Sequence, residues 1–286
     1  MGASGSGGNS AEPFIHRLSV VEDGAQLAAG VRVGPFCHIG RHVVLGEGVE
    51  LASHVAIHGA TTIGAGTHIS AHVVLGGGPQ DLRHDGSATT LEIGRNCIIR
   101  EYATAHLGSS SGHGATRIGD ECFLMAYSHV GHDCLVGDKV ILTNCATLGG
   151  HCEVGDGAIL SGHTAIHQFV RIGHHAFIGG NSAVGGDVMP FGFVLGTPGT
   201  LRGLNVIGLR RSGLHGSEIR DLRRAYKAIF DPAQPVADNL TETAEAFAGN
   251  ARVQEVVAFL SSPGRRGFIG PPLEDRGAEA TLMTDG

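Results

Sequence analysis

A six-residue period organises most of this chain. Branched aliphatic residues recur at every sixth position from Ile15 to Leu75 and again from Ile118 to Val184. Six is neither the 3.6-residue period of a helix nor the two-residue alternation of a strand. A fixed period over so much of a chain indicates stacked repeats, because each repeat buries its aliphatic residue only against its neighbours. Glycine often follows the aliphatic residue, and the fourth residue after it is small or β-branched, which predicts short strands separated by bends.

This repeat resembles the hexapeptide repeat of left-handed parallel β-helices, in which three repeats, 18 residues, make one triangular coil. The resemblance implies an all-β left-handed parallel β-helix of about nine or ten coils. Its handedness comes from the resemblance, because crossover connections are otherwise right-handed. A C-terminal α-helical domain is expected to follow the repeats.

Two segments interrupt the repeats, residues 76–92 and 106–117. Ile93 returns in the register of Leu75, 18 residues later, whereas Ile118 is one residue out of phase, which makes the second segment a true insertion. Insertions in a solenoid become loops on its side, where solenoids usually carry function. The predicted units are a flexible tail (1–14), the β-helix with its two loops (15–200), a basic α-helical domain (201–270) and a disordered tail (271–286).

Composition narrows the class of protein. The formal net charge is -7, and there is neither an apolar run long enough to span a membrane nor a signal-peptide pattern, so a cytoplasmic protein with no membrane span is predicted. Five of the six cysteines fall four residues after an aliphatic residue, where the repeat needs a small side chain. They are predicted to be reduced core residues rather than disulfides or zinc ligands. These five are Cys37, Cys97, Cys122, Cys134 and Cys152.

The C-terminal third has a different pattern. Ser217 to Phe230 are predicted to form a helix with one apolar face, and residues 236–261 to form one or two more. Between residues 201 and 230, seven basic residues stand against two acidic ones. The local charge of +5 in an acidic protein fits either an anionic partner or a solvated helix face, and composition alone favours neither.

A dense group of histidines lies between residues 129 and 168. His132 and His151 occupy non-aliphatic positions of the repeats and are therefore expected outside the core. Because one coil takes 18 residues, Asp133 and His151 are expected to lie one above the other. Two imidazoles and a carboxylate in one patch suit a general base near pH 7, or a metal site.

Eight short motifs follow one another along the chain: Val33-Gly-Pro-Phe-Cys37, Gln80-Asp-Leu-Arg83, Ile99-Arg-Glu101 with His106, His129-Val-Gly-His-Asp-Cys134, Leu148-Gly-Gly-His151, Thr164-Ala-Ile-His-Gln-Phe169, Asn205-Val-Ile-Gly-Leu-Arg-Arg211 and Arg266-Gly-Phe-Ile269. In this order they resemble the UDP-N-acetylglucosamine O-acyltransferases. Members of that family move a 3-hydroxyacyl chain from acyl carrier protein to the 3-hydroxyl of UDP-N-acetylglucosamine, the first step of lipid A biosynthesis. The resemblance implies the same reaction here, a homotrimer, acyl carrier protein as the anionic partner of the basic helices, no nucleic acid, no cofactor and no metal.

The resemblance also implies a role for each matching residue. His132 matches the general base, Asp133 a residue that helps to orient an imidazole, and the Gly150 backbone N–H an oxyanion donor. The other matching positions line the substrate sites. The sugar and pantetheine site is matched by His106, His129, His151, His167 and Gln168, and the residues that hold the nucleotide are matched by Asn205 and Arg211. The loop that reaches the neighbouring subunit contains Asp81 and Arg83. The position that limits acyl length is matched by Gly180.

Some positions depart from the family pattern. Arg83 stands where the family usually has lysine, and the two cations are not interchangeable. Pro198 stands where another length-setting histidine often lies, so the acyl length stays open. Three alternatives also stay open: a γ-type carbonic anhydrase with zinc, an acyltransferase that forms an amide on a 3-amino sugar nucleotide, and a scaffold without catalysis. The sequence fits the N-acyltransferase of the same pathway less well, because the repeats begin at Ile15 and leave no room for the extra N-terminal domain of that family.

Overall fold

The computed structural model describes residues 12–262 and 264–272, so most of the two predicted tails lies outside the described residues. Within the described residues, short parallel strands stack into three sheets that form the sides of a prism. The strands are β1 Phe14–Ile15, β2 Val20–Val21, β3 Gln26–Leu27, β4 Arg32–Val33, β5 His38–Ile39, β6 Val44–Leu45, β7 Glu50–Leu51, β8 Ala56–Ile57, β9 Ala60–Ile63, β10 His68–Ile69, β11 Val74–Gly77, β12 Thr90–Ile93, β13 Ile98–Ile99, β14 Thr104–His106, β15 Ala115–Ile118, β16 Phe123–Leu124, β17 His129–Val130, β18 Leu135–Val136, β19 Ile141–Leu142, β20 Thr147–Leu148, β21 Glu153–Val154, β22 Ile159–Leu160, β23 Ala165–Ile166, β24 Arg171–Ile172, β25 Phe177–Ile178, β26 Ala183–Val184, β27 Gly192–Leu195 and β28 Thr200–Leu204.

Up to β26 each sheet takes every third strand of the chain, and β27 and β28 then extend the first sheet. Among the described residues, the first sheet has 11 strands from β1 to β28, the second has nine from β2 to β26, and the third has eight from β3 to β24. Partners within a sheet lie one coil apart, as Thr147 pairs with Ala165 and Ala165 with Ala183. The 18-residue coil predicted from the repeat is therefore confirmed.

The core is a column of the periodic side chains. From Val33 onward the second residue of nearly every short strand is buried, and the small residue four positions later is buried beside it. All five cysteines at that position are free and buried, as predicted, whereas Cys145 is only half-buried. Each coil thus contributes a thin apolar layer, and stacking is what removes it from water.

Both interruptions leave the sheets intact. Leu75 pairs with Ala105, 30 residues later, and Thr104 pairs with His129, 25 residues later. The second spacing exceeds a coil by seven residues, which explains why Ile118 is out of phase. The extra residues leave the prism at the corner between the second and third sheets and form the predicted side loops.

In the part of the C-terminal region that the structure describes, a hairpin and four helices close the prism. Strand β28 pairs antiparallel with β27, and the helices are α1 Val206–Arg211, α2 Gly216–Ile229, α3 Val236–Ala246 and α4 Ala251–Ser261. Helix α2 confirms the helix predicted at Ser217–Phe230, and residues 236–261, where one or two helices were predicted, form two, α3 and α4. The hairpin and α1 were not predicted. Within the described residues, no helix combines the length and the apolar composition that crossing a membrane requires.

A buried ion pair attaches these helices to the prism. Asp187 is fully buried and accepts hydrogen bonds from the Arg171 N–H, from Arg171 Nε at 2.7 Å and from the Gly264 N–H. The Arg171 guanidinium also lies 4.5 Å from the ring centre of Phe259 in α4. The domain boundaries at residues 14, 200 and 270 stay predictions.

Candidate active site

A histidine and an aspartate form the centre of the site, in the bend between β17 and β18. Nδ1 of His132 lies 2.8 Å from Oδ2 of Asp133, and both residues are buried. A carboxylate accepts the Nδ1 proton, which leaves Nε2 as the basic nitrogen of a neutral imidazole. The bend therefore presents an oriented proton acceptor.

The second insertion holds the Asp133 carboxylate. Oδ2 of Asp133 accepts the Ser109 N–H at 3.0 Å and the Ser109 hydroxyl at 2.6 Å, and Oδ1 accepts the Gly114 N–H at 3.1 Å. Burial opposes ionisation of Asp133, but the hydrogen bonds from Ser109 and His132 outweigh it and lower the pKa of this carboxyl. The aspartate is thus fixed as an anion beside His132.

His151 lies one coil above Asp133, as the 18-residue spacing predicted. Its Nδ1 is 3.9 Å from Oδ2 of Asp133, its ring makes an edge contact with His132 at 5.0 Å, and Phe169 stacks on it at 4.4 Å. Burial lowers the pKa of His151 more than the nearby carboxylate raises it. Both histidines lie outside the prism core, as expected, but the loops cover them, so they are not solvated surface residues.

Gly150 brings the backbone of the next coil against His132. A Cβ built on Gly150 would lie 2.6 Å from both Cε1 and Nε2 of His132, closer than any real side chain contact. Among the described residues, no acceptor is found for the Gly150 N–H. A donor without a partner beside a basic imidazole nitrogen is the arrangement that can stabilise a developing oxyanion.

Two further histidines extend the site along the second sheet. His129 Nδ1 lies 2.7 Å from the hydroxyl oxygen of Thr104, and its ring meets that of His106 edge-on at 4.9 Å. Burial, followed by the charges of His106 and His132, lowers the pKa of His129 to about 4. Burial also lowers the pKa of His106. Both imidazoles are therefore neutral at pH 7 and serve as polar contacts rather than cations.

The first loop carries a closed ion pair. Arg83 donates from Nε and Nη2 to the two carboxylate oxygens of Asp81, each at 3.0 Å, and this arrangement lowers the pKa of Asp81. The Ser111 hydroxyl donates to the same carboxylate. The two insertions are therefore joined, and the ion pair lies at their shared outer surface.

The remaining predicted residues do not meet His132 within one chain. His167 and Gln168 are exposed one coil above Gly150, where the Gln168 carbonyl accepts Arg266 Nε. Asn205 caps α1 and donates to the His175 carbonyl at another corner of the prism, and Arg211 is exposed at the end of α1.

Gly180 is also distant from the His132 bend, because it lies at the corner between the first and second sheets. It is exposed, and a Cβ there would meet only ordinary contact with the Gly162 carbonyl oxygen at 3.4 Å.

Sequence reasoning missed three residues of the site, Ser109, Phe169 and Arg265, and also the exposed His113, which lies at the rim beside His151. Ser109 and His113 lie in the out-of-phase insertion, and Phe169 and Arg265 stack in turn above His151. The only available signal for the first two was that their insertion begins directly after His106.

Comparisons with known proteins bear on this site and fold. A family model described as UDP N-acetylglucosamine O-acyltransferase, domain 2, matches residues 187–269, and a model of bacterial transferase hexapeptide repeats matches residues 115–150. An acyl-acyl-carrier-protein–UDP-N-acetylglucosamine O-acyltransferase of Mesorhizobium japonicum is 56% identical over 260 residues, 91% of this chain and 93% of that protein. The chain belongs to the UDP-N-acetylglucosamine O-acyltransferase family. A relative of the same description from Brucella ovis is 48% identical over 263 residues, 92% of this chain and 95% of that protein.

A comparison with solved structures supports the same family. The UDP-N-acetylglucosamine acyltransferase of Francisella novicida superposes with a TM-score of 0.87 at 34% identity, covering 96% of this chain and all of that one. The predicted fold class, a left-handed parallel β-helix with a C-terminal α-helical domain, is confirmed, and the protein is an O-acyltransferase. Neither the carbonic anhydrase nor the scaffold alternative has support in these matches. The roles of the individual site residues stay predictions.

Proposed function

We propose that this acyltransferase moves a 3-hydroxyacyl chain from acyl carrier protein to the 3-hydroxyl of UDP-N-acetylglucosamine, with His132 as the general base. The observation that carries the proposal is the buried His132–Asp133 pair facing the Gly150 backbone. The M. japonicum and B. ovis relatives are both named acyl-acyl-carrier-protein–UDP-N-acetylglucosamine O-acyltransferases, which supports the donor and the acceptor. Acyl carrier protein and the sugar nucleotide are cytoplasmic compounds, so we expect the enzyme to act in the cytoplasm.

The chemistry follows from the geometry of the pair. Nε2 of His132 takes the proton of the sugar hydroxyl as its oxygen attacks the thioester carbonyl carbon. The carbonyl oxygen becomes an oxyanion, which the Gly150 N–H stabilises. The C–S bond then breaks, and the imidazolium returns its proton to the departing thiolate. Asp133 stabilises the imidazolium and holds the tautomer that leaves Nε2 free, and a base so placed supplies a factor of about 10²–10⁴.

A lane of small side chains supplies the path for the acyl-pantetheine chain. Above His129 the outward positions of the second sheet are Thr147, Ala165 and Ala183, paired in that order. Gly180 borders the lane at one edge and His167 at the other. Small residues in successive coils leave an open strip, and we propose that the acyl chain lies along it with Gly180 near its end.

A trimer completes the site, because Asn205 and Arg211 lie at a different corner from His132 in the same chain. The outward face of the first sheet supports this assembly with a continuous apolar strip. The outward row of the third sheet is mostly charged, with Glu92, Arg117, Leu135, Glu153 and Arg171 in that order. Exposed strips of this kind mark protein interfaces. The strip runs through Ile98, Phe123, Ile141, Ile159, Phe177 and Phe193.

The basic surface of the helices fits an acidic donor protein. Arg210 and Arg211 end α1, and Arg220, Arg224 and Lys227 are exposed on α2. Acyl carrier protein is acidic, and complementary charge speeds such encounters. We therefore propose α1 and α2 as its docking surface.

Activity is tested with purified protein, acyl-carrier-protein thioesters of several chain lengths, and either UDP-N-acetylglucosamine or its 3-amino analogue. We expect ester formation, and His132→Ala should lower kcat by about 10²–10⁴. The exposed His163 serves as a control, and His163→Asn should retain wild-type rates. Wild-type turnover by His132→Ala would contradict the general-base assignment, and faster turnover of the amino sugar would instead favour the amide-forming alternative.

The assembly is tested by sedimentation equilibrium. The wild type should have three times the 29.4 kDa chain mass. Ile141 and Leu135 are both outward-facing, half-buried aliphatic residues, on the first and third sheets respectively. Ile141→Asp should dissociate the trimer because it buries a charge in the strip, whereas Leu135→Asp should not. A monomeric wild type would contradict the proposal.

A further inference from the structure

A third histidine approaches the catalytic pair from the second insertion. The ring of His113 lies 6.1 Å from that of His151 at a steep angle. One donor atom from each of His113, Asp133 and His151 lies within 4.8 Å of the other two. Neither the motifs nor the family resemblance assigns His113 a role. We propose that these three residues form an inhibitory zinc site, an inference that rests on the proposed function for its effect on activity but not for binding.

The donor set matches the preferences of zinc. Two imidazoles and one carboxylate are a common three-ligand set for Zn²⁺, with water in the fourth position. Magnesium and calcium prefer oxygen ligands, so the two imidazoles disfavour them. Asp133 brings a fully buried negative charge, which a cation partly neutralises.

The distances need only a small adjustment. Tetrahedral zinc with bonds of about 2.0–2.1 Å separates its ligand atoms by about 3.3 Å. His151 Nδ1 and Asp133 Oδ2 are 3.9 Å apart in this structure. Phe169 stacks on His151 and holds its ring in place. His113 is exposed on the second insertion, so its side chain can move toward the ion. Oδ2 already accepts hydrogen bonds from Ser109 and His132, so the oxygen with a lone pair for the metal is Oδ1, which accepts one hydrogen bond among the described residues, from the Gly114 N–H.

Zinc at this position and catalysis exclude each other. The ion would bind the same carboxylate that orients His132. It would also link His151 to the second insertion across the opening of the site. His132 would keep its hydrogen bond to Oδ2, but the carboxylate, neutralised by the ion, would stabilise the protonated form of His132 less. The expected effect is reversible inhibition, with His113 needed for binding zinc but not for acyl transfer.

Binding is measured directly by titrating Zn²⁺ into full-length, chelator-treated protein in a calorimeter. Absorption of added Co²⁺ reports the coordination geometry. We expect one zinc ion per chain, and a loss of affinity of about tenfold or more in His113→Ala. The matched control is His42→Ala, which removes an exposed histidine outside the cluster and should bind like the wild type. Equal zinc binding by all three proteins, or no stoichiometric binding by the wild type, would overturn the site.

Inhibition is measured in the acyl-transfer assay. The wild type should lose activity on addition of zinc and regain it with chelator. His113→Ala should retain basal activity and need about tenfold more zinc for the same inhibition. Zinc inhibition that is equal in wild type and His113→Ala would refute the inhibitory role. A protein that binds zinc through His113 but transfers no acyl group would contradict the proposed function while supporting the site.

Discussion

Adding one methyl group at Gly150 should disable the enzyme without unfolding it. The new Cβ would lie 2.6 Å from Cε1 and Nε2 of His132, whereas carbon atoms in contact prefer about 3.5–4.0 Å. The imidazole must therefore move by about 1 Å. A displacement of this size at a catalytic group costs roughly 10²-fold in rate, or about 2.7 kcal/mol in activation free energy.

The substitution separates the effect of the His132 position from that of the proposed oxyanion donor, the Gly150 N–H. Gly150→Ala keeps the backbone N–H, and the backbone angle at this residue is not in the left-handed region, so alanine adds no strain of its own. Gly249→Ala, in the turn between α3 and α4, is the control: a Cβ there would meet no atom within 4 Å, and its backbone angle is not in the left-handed region. We expect a 10²-fold lower kcat for the first variant and an unchanged kcat for the second.

The assay is steady-state acyl transfer, with thermal unfolding recorded in parallel. Similar melting temperatures for both variants would show that the fold survives, and a crystal structure of Gly150→Ala should show the shifted imidazole. If Gly150→Ala turned over within twofold of the wild type with His132 displaced, the position of this imidazole would not govern the reaction. That result would refute the reasoning.

Three further predictions concern other parts of the structure. Asp133→Asn should lower kcat by about 10²–10⁴, because an amide no longer fixes the tautomer of His132. The pKa of Asp133 is lowered in the fold, so its ionised form stabilises the protein above about pH 3.9. In denaturation experiments, the stability advantage of the wild type over this variant should therefore be present at pH 6 and shrink as the pH falls below about 4. Asp187→Ala should cost about 3–5 kcal/mol of unfolding free energy in chemical denaturation, because it leaves Arg171 without its buried partner; a loss below about 1 kcal/mol would contradict this. Gly180→Met should shift the preferred thioester to a shorter acyl chain, and an unchanged chain-length profile would remove Gly180 from the acyl lane.

The sequence predicted the regular parts of the fold and of the site because both follow the coil. A six-residue period determines which residues stack, and stacking alone is enough to put Asp133 beneath His151 at 3.9 Å. The same register identified the five buried cysteines. It did not predict the hairpin β27–β28 or helix α1, because these short elements follow the last repeat and are held by contacts with it, such as that of Asn205 with His175.

The irregular part of the site could not be read from the sequence. Ser109 and His113 lie in a loop whose path no periodicity determines, so nothing in their spacing predicts that one donates to Asp133 and the other approaches His151. Gly112 shows how closely this loop packs, since a Cβ there would lie 2.3 Å from the Asp133 carboxyl carbon.

The out-of-phase insertion explains why the His132–Asp133 pair, which we propose as the general base and its partner, lies in this bend and not in another. In the regular coils a bend offers one backbone N–H to a carboxylate of the next coil, as the Asp120 N–H donates to Asp138 and the Asp138 N–H to Asp156. The insertion replaces the bend below Asp133 with a loop, and that loop supplies the Ser109 N–H, the Ser109 hydroxyl and the Gly114 N–H. Three donors are what a fully buried carboxylate needs to stay ionised beside an imidazole. Shortening the loop to restore a regular coil should therefore raise the pKa of Asp133 and abolish activity, even though every repeat residue remains in place.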